Sequence, residues 1–263
     1  MMDRKDNVSW LASWKMAVQI WRRNFISFRR SWKVSFVWII LEPVLVLAAM
    51  GYGLGSFVST MDGVSYAEFF YPALLCTTSM LVAYFVSTYD NFSKLTHQGV
   101  FASLILTPIE PKEIVIGEVL WAGTKGLISA AGVAMVAGGL GMVETLRIFP
   151  ALIVVFISAL VFAAFGMLVT TWVKSFDQII YPTSAVVIPM SLFSGTYFPI
   201  DNLPYGMRYL AYISPLAHSV RVVRGLLLKG YDWWMLGNVA YLLILLFFLT
   251  RLASRRLTRK LLN

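Results

Sequence analysis

Apolar residues run along this chain in six long blocks, at about 34–57, 68–89, 114–140, 148–172, 179–197 and 235–250. A block of roughly 20 apolar residues carries a helix across about 30 Å of hydrocarbon. The pattern therefore predicts an all-α integral membrane protein with six transmembrane helices. Ahead of the first block, Trp10, Trp14, Val18, Trp21, Phe25, Phe28 and Trp32 recur at intervals of three and four, which puts them on one stripe of a helix. Lys15, Arg22, Arg23, Arg29 and Arg30 lie between them. Residues 1–33 are expected to form an amphipathic helix lying flat in the headgroup region, rings towards acyl chains and bases towards phosphates. Residues 34–263 then form the six-span domain.

Two connections carry structure of their own. Within residues 90–113, Lys94 to Leu106 are expected to form a compact helix, ended at Thr107-Pro108 because the residue before proline is pushed out of the α region. The second is "SGTYFPIDNLP", residues 194–204, which packs turn-forming residues against the end of the fifth block. Here Gly195 and Pro199 are expected to end one helix, and Asp201 or Asn202 to cap the next ahead of Pro204. Leu203–Ile213 and Leu216–Leu228, separated by Ser214-Pro215, are too short to span. They predict a re-entrant helix pair between spans five and six.

Charge orients this layout. Hydrophobic residues make up 59% of the chain and charged residues 13%, well below the roughly 25% charged of a soluble domain. Of the Lys and Arg residues, 16 fall in the tails and the loops 90–113 and 173–178, against five in the opposite loops. An excess of basic residues marks the cytoplasmic side, so both termini are expected in the cytoplasm. The net charge of +9 is then a matter of orientation and anionic-lipid contact rather than nucleic-acid binding. The single cysteine, Cys76, sits in an apolar block and provides neither a disulfide framework nor a Cys-based metal site. No apolar core precedes residue 34, so no cleaved secretory signal is expected.

Catalytic chemistry is hard to find. No glycine-rich loop ends in Gly-Lys-Ser/Thr, the phosphate cradle of an ATPase. "GYGLGS" at 51–56 has the spacing of a dinucleotide fingerprint without its strand–helix context, and reads as helix packing by small residues. His97 and His218 stand alone, with no second ligand or carboxylate at helical spacing. Neither a catalytic group nor a metal site is expected. Ionisable residues inside spans call for a functional reading, and three qualify: Glu42, Glu118 and Lys125. From the block boundaries, Glu42 lies ~12 Å and Lys125 ~16 Å in from the same side at 1.5 Å per residue, so either a Glu42–Lys125 pair or two charges that line a pathway is expected, with Glu118 near enough to the surface to snorkel.

Taken in order, the basic amphipathic helix, "LTPIEPKEIVIGEVLWAGTKG" at 106–126, "SGTYFPIDNLP" and "ISPLAHSVRVVRGLLLKG" at 213–230 resemble the membrane permeases of type-2 ATP-binding-cassette (ABC) exporters. The detail looks most like the branch containing the nodulation lipo-oligosaccharide export permease. The resemblance covers essentially the whole chain and implies a transport subunit, not an enzyme, in a bacterial inner membrane. No cofactor is bound by this chain, since ATP and Mg2+ belong to two copies of a separate ATPase, and a second permease copy completes a homodimer. It further implies that Lys94, Leu95, Thr96, His97, Gln98, Gly99, Phe101 and Leu104 belong to a coupling helix. The segment with Gly195, Tyr197, Phe198, Pro199, Asp201, Asn202 and Pro204 would be an external gate and cap. Trp121, Phe193, Tyr197, Phe198 and Tyr205 offer faces for sugars or acyl chains. The substrate stays open between lipo-oligosaccharide, polysaccharide or glycolipid, and drug. A glycan or acyl transferase, which needs a catalytic cluster, and a non-transporting assembly subunit remain as alternatives.

Overall fold

A computed structural model describes residues 10–58, 60–139, 141 and 146–262. Among these the regular elements are helical, apart from one isolated bridge between Met61 and Val64. Helix α1 (Trp10–Phe36) follows the amphipathic stripe but does not end at 33. A kink at Ser31 (φ −116°, ψ 18°) carries it into the first apolar block. That block continues through a π turn at Val37–Leu41, α2 (Glu42–Ala48), a second π turn at Ala49–Gly53 and a 3₁₀ turn at Leu54–Ser56.

Proline accounts for the first π turn. Pro43 offers no N–H to the carbonyl four residues earlier, and its ring would strike that carbonyl, so the backbone widens by one residue. The fifth block repeats the device. A 3₁₀ turn at Asp177–Ile179 leads to α8 (Ile180–Pro182), a π turn at Thr183–Val187 and α9 (Ile188–Phe193), with Pro189 in the place that Pro43 holds.

Among the described residues, four helical stretches are long and apolar enough to cross a membrane. They are α3 (Tyr66–Phe85) continued by a π turn and α4 (Asn91–Thr96), α6 (Pro111–Gly139), α7 (Ile148–Trp172), and α12 (Trp234–Leu262). The first and fifth blocks, counted as spans from the sequence, are helical over most of the same residues but interrupted. Between α4 and α6 lies α5 (Val100–Ile105), shorter than the helix expected from Lys94 to Leu106. Lys94, Leu95 and Thr96 belong to the end of α4, and Gly99 at φ 62° breaks the path. The pair α10 (Tyr205–Ile213) and α11 (Pro215–Leu228) follows the expected boundaries within two residues.

Helices α3, α6 and α7 pack against one another; α12 lies on α7, α11 on α7 and α3, and α1 on α6. Two apolar cores result. One gathers Phe70, Tyr71, Leu75 and Cys76 of α3 with Val155, Phe162 and Leu216; the other gathers Ile20 of α1, Phe101 of α5, Ile114, Val119 and Met167. Cys76 is the buried packing residue its setting suggests. Gly51 of the "GYGLGS" stretch lies against Ala67 of α3, as helix packing requires. Helix α12 outruns its apolar block to Leu262, and Lys260 Nζ donates to the Thr171 and Val173 carbonyls at 3.4 and 3.2 Å, where α7 ends. A cation at orphan C-terminal carbonyls is favourable.

The backbones of α3 and α6 approach closely at Gly126 of α6, where an added Cβ would lie 2.6 Å from the Ser79 carbonyl oxygen. Gly126→Val is expected to cost about 1–3 kcal/mol through overpacking. Gly138→Val, which has open space around it, is expected to be neutral. Thermal unfolding midpoints of the two purified variants check this; equal midpoints would mean that α3 and α6 yield at this contact.

Candidate functional site

The end of the bundle that carries α5 is organised by one carboxylate. Glu118, in the second turn of α6, is 1% exposed. Its Oε1 accepts from Arg23 Nη2 at 2.8 Å, and its Oε2 accepts from Asn24 Nδ2 at 2.9 Å and from Lys94 Nζ at 2.6 Å. Lys94 Nζ also donates to Asn24 Oδ1 at 3.2 Å and Asn91 Oδ1 at 3.4 Å. All three ammonium donors are thereby used. Helix α1, the end of α4 and α6 meet in this knot.

Local sequence explains why Arg23 and Asn24 arrive there. Ala17, Ile20 and Asn24 sit three and four residues apart on the face of α1 that is buried against α6. The aromatic stripe is divided. Trp21, Phe25 and Phe28 gather around Trp121 of α6 at 5.5–6.4 Å between ring centroids, and Trp21 Nε1 donates to Thr124 Oγ1 at 3.0 Å. Trp14, Val18 and Trp32 stay exposed. Phe101 anchors α5 in the core, while Leu104 is half-buried. The outer surface is left to Thr96, His97, Gln98, Ala102, Ser103 and Leu106, the last 88% exposed.

Lys125 does not pair with Glu42. Its Nζ lies 3.3 Å from Asp90 Oδ2 and over the Phe28 and Trp121 rings. Glu118 does not snorkel, because partners from two other helices enclose it. Glu42 is exposed along α2, and among the described residues it has neither an ion pair nor a hydrogen bond.

At the opposite end, the turn after α9 is fixed by Arg224 of α11. Its guanidinium stacks 3.7 Å from the Phe69 ring centroid, donates from Nε and Nη2 to the Phe69 carbonyl at 3.2 and 3.0 Å, and donates from Nη2 to the Gly195 carbonyl at 2.8 Å. Gly195 has φ 79°. Ser194 and Ser214 hydroxyls meet at 2.7 Å, tying this turn to the one between α10 and α11. Tyr197 packs on Phe70 at 5.6 Å, while Phe198 and Pro199 are half-buried. The expected cap fails: α10 begins after Pro204, and neither Asp201 nor Asn202 makes a side-chain cap. They lie in a 3₁₀ turn instead, where the Asp201 carbonyl accepts from Arg208. Both lone histidines have structural partners. His218 Nδ1 lies 2.6 Å from Asn238 Oδ1 and Nε2 lies 2.8 Å from the Tyr212 carbonyl, joining α11 to α12 and α10. His97 stacks on Phe176 at 5.2 Å.

Residues 17–228 match the family described as ABC-2 type transporter. The chain belongs to this family. It is similar to Nodulation protein J of Rhizobium leguminosarum bv. viciae, with 35% identity over 82% of this chain and 81% of that protein. The Rhizobium meliloti (strain 1021) protein of the same name is 32% identical over 91% and 93%. The Escherichia coli (strain K12) inner membrane transport permease YadH is 25% identical over 85% and 84%. This ABC-2 chain is thus an integral membrane permease subunit.

Sequence reasoning flagged Glu118 but missed Arg23, Asn24 and Asp90, and it missed Arg224. The one available signal in α1 was the Ala17–Ile20–Asn24 stripe, hidden behind the more conspicuous aromatic one. Removing one partner of a buried charge cluster costs about 3–5 kcal/mol, whereas replacing the whole cluster with apolar groups is mild. Glu118→Ala is therefore expected to be severely destabilising in this ABC-2 chain, and Arg23→Met/Lys94→Met/Glu118→Leu to recover most of the loss. Unfolding midpoints in detergent decide it; a single variant as stable as the parent would show that water reaches the knot.

Proposed function

We propose that this permease belongs to an ATP-driven exporter that moves an amphipathic substrate outwards by alternating access. Lipo-oligosaccharide, polysaccharide or glycolipid, and drug are the candidate classes. A separate ABC ATPase subunit binds ATP and Mg2+ and hydrolyses the nucleotide; two permease copies pair with two ATPase copies. Both termini lie in the cytoplasm, residues 1–33 lie along the cytoplasmic face of a bacterial inner membrane, and residues 34–263 form the permease domain.

The observation that carries this reading is the Glu118 knot. A push on the surface around α5 enters the core through Phe101 and, across the turn at Gly99, meets the end of α4, where Lys94 is tied to a spanning helix and the interfacial helix together. Phe101 prevents α5 from yielding independently. The transferase alternative asks for a cluster of catalytic carboxylates or histidines, whereas His97 and His218 are each engaged in holding helices together.

The exposed face of α5 supplies the test. Ala102→Asp/Leu106→Asp alters only outward-facing positions, so the permease is expected to insert and fold normally and to lose substrate-stimulated ATP hydrolysis by the partner subunit. Normal stimulation in that variant would remove the coupling assignment.

Topology is tested separately. Asp201→Cys or Asn202→Cys, in a Cys76→Ala background, is expected to react with a membrane-impermeant maleimide added outside the cell. Tyr197→Ala/Phe198→Ala is expected to impair export without loss of the ATPase subunit on co-purification. Labelling from the cytoplasmic side alone would overturn both the orientation and the gate.

A further inference from the structure

Glu42 is the one charge of the first apolar block, and the fold gives it no partner among the described residues. An ionisable group in such a setting pairs with another group or faces a water-filled cavity. Glu42 stands where two hollows meet. On one side is an open groove of about 880 Å³ along α1 and α2, lined by Lys33, Leu41 and Leu45. On the other is a narrower cleft of about 160 Å³ between α2 and α3, lined by Thr77, Thr78, Leu81, Phe85 and Tyr197.

The hydrogen-bond inventory of the cleft is one-sided. Thr77 and Thr78 are 5% and 7% exposed. Thr77 Oγ1 donates to the Ala73 carbonyl at 2.9 Å and lies 3.5 Å from Thr196 Oγ1, and Thr78 Oγ1 donates to the Leu74 carbonyl at 2.9 Å. A hydroxyl has one proton to give and two lone pairs, so Thr78, and Thr77 beyond the lone pair that Thr196 meets, turn only acceptor capacity outwards. An ionised carboxylate accepts and does not donate. Three neighbouring side chains thus offer lone pairs to a space with apolar walls, and Tyr197 closes it.

The geometry points to a substrate subsite here, resting on the exporter reading above: Glu42, Thr77 and Thr78 take a head group that donates hydrogen bonds and carries no negative charge. Its alkyl portion lies along the larger apolar groove. A hydroxyl-rich ring and a primary ammonium share this chemistry. Anionic head groups meet Glu42 and are refused. The π turn at Val37–Leu41, immediately before Glu42, sets the carboxylate in this register, in keeping with the frequent occurrence of π turns at functional sites. Because Tyr197 also packs on Phe70 within the gate turn, occupancy of the cleft is felt at the outer end of the molecule.

The test uses the complete permease–ATPase complex in phosphatidylcholine nanodiscs, whose head groups carry no N–H or O–H donors. Three radiolabelled probes share one tail: dodecyl glucoside, dodecylamine and dodecyl sulfate. The first two distinguish polyol from ammonium, and wild type is expected to bind at least one of them. Glu42→Gln is expected to weaken that binding on the order of tenfold, the scale of a lost hydrogen bond to a charged group. Thr78→Val should weaken it less, and dodecyl sulfate should not be weakened by Glu42→Gln. Glu42→Asp and Thr78→Val guard against a variant that fails to assemble, with assembly read by co-purification.

Equal binding in wild type and Glu42→Gln, or no donor-headed probe bound by wild type, overturns the subsite. So does efficient disulfide formation between two copies carrying Glu42→Cys in the Cys76→Ala background, which would place residue 42 in a contact between permeases. A complex that binds a donor-headed probe through Glu42 yet moves none across the bilayer keeps the subsite and overturns the exporter reading. Transport with binding unchanged in Glu42→Gln does the reverse.

Discussion

A single carboxylate taken out of water governs how this permease is put together. A lone Glu118 at its depth would be too costly to keep ionised, and the fold answers by delivering a guanidinium, an ammonium and an amide from two other helices. That requirement fixes the rotation of α1 against α6, the point at which α4 stops descending and the place from which α5 starts. Helix α1 could otherwise roll along the bundle on its apolar side chains, since dispersion contacts have no direction. The knot gives α1 one register.

The opposite end uses a different solution for a buried cation. Among the described residues Arg224 forms no ion pair; it is satisfied by two backbone carbonyls and an aromatic face. Hydrogen bonds from a cation to carbonyls are directional, and here they hold the turn after α9 against α3. Serine hydroxyls then join that turn to the next. One end of the molecule is thus tied through side-chain charges and the other through the backbone, so substitutions at the two ends have different consequences. At the first end a partner residue can be changed and the charge stranded; at the second, replacing Phe69 removes the aromatic face but leaves its carbonyl, while Gly195, at φ 79°, needs glycine to hold its carbonyl in place.

How much of this was legible from sequence follows from how local each cause is. The long helices α3, α6, α7 and α12 follow directly from apolar blocks, and the break between α10 and α11 follows from Ser214-Pro215. The fold of the first and fifth blocks was only half legible, because a proline announces a disturbance without saying whether the helix kinks, ends or widens. Gly99 in the left-handed region cut the helix expected over Lys94 to Leu106 shorter than its composition suggested. Pro204 took the cap position that the neighbouring Asp201 and Asn202 seemed made for. The Glu118 knot was the least legible element, since Arg23 lies 95 positions from its partner and nothing at that separation constrains a pairing. Depth counted along a helix gave Lys125 and Glu42 similar levels, yet depth fixes only one coordinate; Asp90, in the π turn between α3 and α4, is the anion that Lys125 meets.

The π turns at Val37–Leu41 and Thr183–Val187 have a consequence for how such a chain changes over generations. Each is the equivalent of one residue inserted into an α helix. Losing or gaining a residue there leaves the length of the helical segment almost untouched but turns everything beyond it by about 100° around the helix axis, the angle of one residue at 3.6 per turn. In these two segments a single codon added or removed therefore acts as a rotation rather than a resizing. Related chains can turn a different set of side chains towards the same neighbours without a single substitution.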